Sequence, residues 1–149
     1  MKIAFGCDHG GFIAKKEIFA YLEANGFEVT DYGCFNENSV DYPDIAYSVC
    51  KDVKSGSSDF GILVCGTGIG MSIAANKFKG IRCAHVTDAF SAEMTRRHNN
   101  TNVIALGGRI SSIEDIVEFV KIFLTTPFEG GRHENRVNKI CQIEEENFN

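Results

Sequence analysis

The chain has 149 residues, enough for one core that buries roughly 70% of the unfolded surface without help from disulfides or metal. Hydrophobic residues make up 44% and charged ones 23%, with 2 prolines and no low-complexity run, the composition of an ordinary soluble globule. Fifteen basic residues stand against 20 acidic ones, a net of −5, which excludes a general attraction to nucleic acid or anionic lipid.

The N-terminus, MKIAFGCDHGG, sets a lysine and a glycine turn where a signal peptide would carry its apolar stretch, and every apolar run is strand-sized. A cytoplasmic protein without a membrane partner is expected. Lys2 to Cys7 reads as the first strand, followed by the turn Asp8-His9-Gly10-Gly11 and a helix striped by Ala14, Ile18, Tyr21 and Leu22. Residues 27–31 make a second strand, and Ile45, Val49 and Val53 a second helical stripe. Phe60 to Cys65 is a third strand; the loop Gly66-Thr67-Gly68-Ile69-Gly70 leads from it into a short helix ending about Asn76. Residues 81–86 read as a fourth strand, Thr87-Asp88 as its loop, and Phe90, Met94 and His98 as the stripe of the next helix. Residues 103–106 form the fifth strand, before Gly107-Gly108-Arg109 and a helix striped by Ile113, Ile116, Val117, Val120, Phe123 and Leu124. Beyond Pro127 and Gly130-Gly131 lies a tail predicted helical over 132–146 and too polar to be core.

This alternation implies parallel strands with right-handed crossovers, hence a three-layer α/β/α sandwich of Rossmann type. The expectation is one domain over residues 1–149, with a five-stranded parallel sheet and a C-terminal tail helix. Ligands of such sheets bind at the strands' carboxyl ends, where the four loops fall.

Six cysteines occur with no C-x-x-C and no Cys/His pair at zinc spacing, so neither a metal site nor a disulfide framework is expected. Most of them read as small buried hydrophobes. Cys65 differs, because it ends a strand at the edge of the glycine loop. The backbone N–H groups of Gly66, Thr67, Gly68, Ile69 and Gly70 can converge on an anion there, and their dipoles favour a thiolate. A dinucleotide fingerprint would need glycine at 71, where Met71 stands. A base beside an anion hole is what enolisation next to a carbonyl requires. Thr67 either bonds sugar oxygens or stabilises the turn. Asp8 and His9 suit sugar hydroxyls, although Asp8 also fits a helix N-cap. His98 answers a helix dipole or moves protons near neutrality. Basic residues gather in the last third: Arg96, Arg97, Arg109, Arg132 and Arg136. Of these, Arg132 and Arg136 are four apart, either a two-guanidinium clamp for phosphate or a solvated face.

CDHGGF near the start, DYPD at 41–44, GILVCGTGIGMSIAANK, RRHNNTNVIALGGR and FEGGRHENRV together resemble the type B ribose-5-phosphate isomerase family, in order and over nearly the whole chain. The resemblance implies a sugar-phosphate substrate, ribose 5-phosphate and ribulose 5-phosphate of the pentose phosphate pathway, and no cofactor, neither metal nor nucleotide. It implies that Cys65 moves a proton between C1 and C2 and that Gly66 to Gly70 hold the enediolate. His98 would open the ring; Asp8, His9, Tyr42 and Asn99 would hold hydroxyls; Arg109, Arg132 and Arg136 would take the phosphate. Such proteins are homodimers, in some cases paired into tetramers, whose active sites are shared, so the tail from about residue 127 would cross to the partner. Phe128 stands where many relatives carry tyrosine, which puts no proposed role in doubt. Allose 6-phosphate and galactose 6-phosphate isomerases are similar and keep the chemistry with another sugar. A non-catalytic sugar-phosphate or nucleotide binding module would keep the loop but has no need of Cys65 with His98.

Overall fold

A computed structural model describes residues 1–148. Its elements are β1 (Lys2–Cys7), α1 (Phe12–Ala24), β2 (Glu28–Asp31), α2 (Tyr42–Ser55), β3 (Phe60–Cys65), α3 (Ile69–Ala75), β4 (Cys83–His85), α4 (Ala89–Asn99), β5 (Val103–Gly107), α5 (Ile113–Thr125) and α6 (Arg132–Asn147). The five strands form one sheet in the order β2-β1-β3-β5-β4, and every pairing is parallel. The chain steps outward from β1 to β2 and then returns to the other side of β1 as β3. That reversal opens a crevice at the carboxyl ends of β1 and β3.

Side chains alternate across the sheet and sort the helices into two layers. Ile3, Phe5, Ile62, Val64, Ile104 and Leu106 share one core with Ala14, Ile18 and Leu22 of α1 and Ile116, Val120 and Phe123 of α5. Ala4, Leu63, Cys65 and Ala105 face the other way, against Ala46, Val49 and Cys50 of α2 and Met71 and Ala75 of α3. Continuous apolar strands covered on both faces are what an all-parallel sheet needs, and the expected α/β/α sandwich is present. Cys65 therefore points into the α2–α3 layer, under the loop that follows it.

The helix ends use local chemistry. Asp88 caps α4 by accepting the Ser91 N–H at 2.6 Å, and Ser112 caps α5 by accepting the Asp115 N–H at 3.1 Å. Asp8 caps nothing, since the N-cap of α1 is Gly11. β4 is shorter than residues 81–86 because it is an edge strand, paired with β5 alone.

The stripe expected on α4 is rotated. Phe90 is 72% exposed, and the buried face carries Ala92, Thr95 and Arg96. Arg96 tolerates burial because its guanidinium lies over the rings of Phe60 (4.9 Å) and Phe123 (5.8 Å) and donates to the Thr101 carbonyl at 2.5 Å and Asn100 Oδ1 at 3.0 Å. Burial, with Arg82 nearby, draws its pKa below the ordinary arginine value. The tail helix α6 lies along α4, buries His133 and Val137, and is tied to the α3–β4 turn by Lys79–Glu145 at 2.7 Å and by Gly80 N–H to Glu144 at 2.8 Å. No helix of the described residues is long and apolar enough to cross a membrane.

Candidate active site

Three glycine turns meet at the carboxyl edge of the sheet. A Cβ on Gly10 would lie 2.8 Å from the Gly66 nitrogen, and one on Gly108 would lie 2.5 Å from the Gly10 carbonyl oxygen. Only glycine lets the loops after β1, β3 and β5 come this close. Gly108 N–H and Arg109 N–H then donate to the carbonyls of Cys65 and Gly66 at 2.7 and 2.9 Å, and the Arg109 guanidinium lies over Gly66.

Around this seam the predicted residues of the first cluster assemble. Cys65 is 4% exposed, and its Sγ accepts the Gly68 N–H at 3.1 Å. The loop sequence suggested backbone N–H donors beside this strand-end sulfur, and Gly68 supplies one. Gly68 adopts φ +82 to turn that N–H inward. Thr67 Oγ1 accepts the Ile69 N–H at 3.2 Å, so its hydroxyl braces the turn. Asp8 is buried, with Oδ1 accepting the Gly10 N–H at 2.8 Å, and His9 Nδ1 accepts the Val40 N–H at 3.4 Å. Tyr42, the first residue of α2, lays its ring across Gly70.

A second cluster forms where α4 ends and α6 begins. His98, Asn99, Arg132, His133 and Arg136 line a cavity of about 290 Å³. The rings of His98 and His133 stack, with centroids 4.1 Å apart and planes 11° from parallel. Glu129 stands 4.0 Å from the Nε2 of each and is anchored by Arg97 Nε at 3.0 Å. Burial first, then His98, lowers the His133 pKa below the ordinary imidazole value. His98, Glu129 and His133 lie within 4.8 Å of one another, near enough to be weighed as metal ligands. Ring nitrogens bind metal in the ring plane, so stacked rings aim their lone pairs side by side instead of at a common point.

The two clusters sit at opposite ends of the sheet. α4 starts from the carboxyl end of β4 and runs antiparallel to the strands, so His98 emerges at their amino ends. Arg96, two residues before it, covers Phe60, the first residue of β3. Arg109 accordingly joins Cys65, and Arg132 with Arg136 joins His98. Arg96 and Arg97 leave the anion-binding group, the first buried on aromatic rings and the second paired at 3.0 Å with both Glu93 and Glu129. The remaining thiols are free. Burial pushes Cys7 and Cys50 up to about 12, Cys7 aided by the neighbouring Cys34, which fits inert packing residues.

The sequence profile of the family described as Ribose/Galactose Isomerase matches residues 3–140. The chain belongs to that family. It is 49% identical over 97% of its length to ribose-5-phosphate isomerase B of Escherichia coli, 97% of which is covered. Its fold superposes on the Clostridium thermocellum ribose-5-phosphate isomerase B with a TM-score of 0.96 at 48% identity, covering 98% of this chain and 99% of that one. The Mycoplasma genitalium ribose-5-phosphate isomerase B, solved with bound ribulose 5-phosphate, gives 0.93 at 41% identity, with 97% of each chain covered.

Sequence reasoning passed over His85, Glu129 and His133. The signal for His85 was its position at the carboxyl end of a predicted strand, the end where ligands bind. His133 and Glu129 lie inside FEGGRHENRV and were masked by the arginines beside them.

Proposed function

We propose that this protein is an aldose–ketose isomerase that interconverts ribose 5-phosphate and ribulose 5-phosphate in the cytoplasm. The observation that carries this is the Cys65 thiol, held at 3.1 Å by the Gly68 N–H beneath the glycine loop, in a chain of the ribose/galactose isomerase family. The Cys65 thiolate takes the C2 proton of the open-chain aldose. The resulting enediolate is stabilised by the N–H groups of Gly66 to Gly70, and the same sulfur returns the proton to C1. Asp8, His9, Thr67, Tyr42 and Asn99 hold sugar oxygens. His98 opens the furanose by moving a proton from the anomeric hydroxyl to the ring oxygen, and Arg109, Arg132 and Arg136 hold the phosphate.

These residues occupy two clusters at opposite ends of one sheet, so a complete site needs two chains. A homodimer in which the end of α4, with His98, and the tail helix α6, with Arg132 and Arg136, meet the partner's Cys65 satisfies this, and a tetramer would be a pair of such dimers. The function is tested with purified protein on a panel of five- and six-carbon aldose phosphates, following ketose formation and solvent exchange of the C2 proton. Conversion of the pentose, abolished together with proton exchange in Cys65→Ala, is expected. Preference for allose 6-phosphate or galactose 6-phosphate would reassign the sugar, and near-normal turnover by Cys65→Ala would remove the thiol from the mechanism.

A further inference from the structure

His85, the last residue of β4, has no part in the roles given above. Its Nε2 is 2.7 Å from the Thr67 carbonyl oxygen. A carbonyl oxygen can only accept, so Nε2 carries the hydrogen and donates. The carbonyl of Thr67 and the N–H of Gly68 are the two ends of one planar peptide, and that N–H is the one that donates to Cys65 Sγ at 3.1 Å. Imidazole, peptide and sulfur therefore form one continuous line of hydrogen bonds.

The peptide in the middle is wedged. A Cβ on Gly68 would lie 2.8 Å from His85 Cδ2 and 2.9 Å from the Leu106 carbonyl carbon, and one on Gly107 would lie 2.6 Å from the Thr67 oxygen. The Thr67–Gly68 peptide thus fills a slot between the ends of β4 and β5, where it cannot tilt away from either neighbour.

We propose that His85 is a positioning residue for the reaction: by donating to the Thr67 carbonyl it fixes and polarises the peptide whose Gly68 N–H holds negative charge on the Cys65 sulfur. Hydrogen bonds in series strengthen one another, because drawing electron density toward the carbonyl oxygen makes the N–H at the other end a better donor. A donor gains more from an ionised acceptor than from a neutral one, so the gain falls on the thiolate and not the thiol. Its importance for turnover rests on the reading of Cys65 as the base.

The test compares His85→Leu, which keeps bulk and removes the donor, with His85→Gln, whose amide N–H can donate in its place. His85 is exposed, so both are expected to fold, and His85→Ala serves as a second donor-free variant. The thiolate-to-thiol ratio of Cys65 is read at fixed pH from ultraviolet thiolate absorbance, with the Cys65→Ala spectrum subtracted. Losing one hydrogen bond in the line is expected to lower that ratio about three- to tenfold in His85→Leu. kcat should fall by a similar factor while KM for ribose 5-phosphate stays within about twofold, and His85→Gln should recover most of both. An unchanged ratio in the donor-free variants overturns the proposal, as does an equal fall in His85→Gln, which would trace the effect to packing. Full turnover by Cys65→Ala would instead sink the base assignment, and the thiolate ratio would still decide whether His85 acts on the sulfur.

Discussion

Breaking the site in two different chains and then mixing them tests the two-chain arrangement directly. α4 has 11 residues and so spans about 16 Å, and the 5 residues of β5 span about as much, roughly 3.3 Å per residue. A five-carbon sugar phosphate reaches about 8 Å at ordinary bond lengths, too little to bridge Cys65 and Arg132 within one chain. On the proposed roles, Cys65→Ala removes the base, and Arg132→Ala/Arg136→Ala removes two charge-assisted bonds to phosphate. At about 1.5 to 3 kcal/mol each, those two losses lower kcat/KM by roughly a hundred- to ten-thousandfold. Each variant alone is therefore close to inactive. In a mixed dimer one site carries both lesions and the other carries neither. Random exchange of equal amounts makes half the dimers mixed, so about a quarter of the wild-type activity per total protein should return. The assay is ketose formation after exchange, with hybrid formation confirmed by mass-tagged subunits. No recovery despite confirmed hybrids would mean that the clamp and the thiol serve the same chain's substrate.

His98→Asn should slow cyclic ribose 5-phosphate far more than a four-carbon aldose 4-phosphate that cannot close a ring; equal losses on the two would separate His98 from ring opening. Gly11→Ala would bring a Cβ to 2.4 Å from the Val64 carbonyl oxygen, a backbone atom held in the sheet, so unfolding in urea should show a loss of at least about 2 kcal/mol; an unchanged midpoint would contradict the close approach. Phe123→Ala empties a fully buried site under Phe60 and should cost about 3 to 5 kcal/mol in the same measurement. His133 has its pKa lowered by burial first and His98 next, from an ordinary value of 6.5. The folded state then holds its advantage above that pH and loses it as pH falls through the lower folded value. Denaturation midpoints should drop less steeply with acid in His133→Gln than in the wild type, and parallel curves would refute the assignment.

The central strands β1, β3 and β5 were legible because each is an apolar run closed by glycine or polar residues, the pattern that a strand covered on both faces demands. The contact between the glycine loop and Cys65 was legible because the sulfur and the Gly68 N–H that donates to it lie three residues apart. α4 was misread because periodicity counts Arg96 as polar, whereas burial there is decided by Phe60 and Phe123, 36 and 27 residues away along the chain. For His85 the sequence offered only its place at a strand's carboxyl end, since its partner is a backbone carbonyl 18 residues earlier and a carbonyl leaves no trace in residue identity.

The division of the arginines shows where such reading stops. Arg109, Arg132 and Arg136 are equivalent as residue types, and nothing near them in the chain says that the first belongs with the thiol and the others with His98. That outcome depends on two facts of topology. β5 inserts between β3 and β4, which brings the loop bearing Arg109 against Gly66. α4 runs back toward the amino ends of the strands, which carries His98 away from Cys65 and gives α6 its surface to pack on. Once both hold, the thiol cluster and the His98 cluster lie at opposite ends of the sheet, and under the proposed roles each half of the site would need its complement from a second chain, which is the arrangement the subunit-mixing experiment tests.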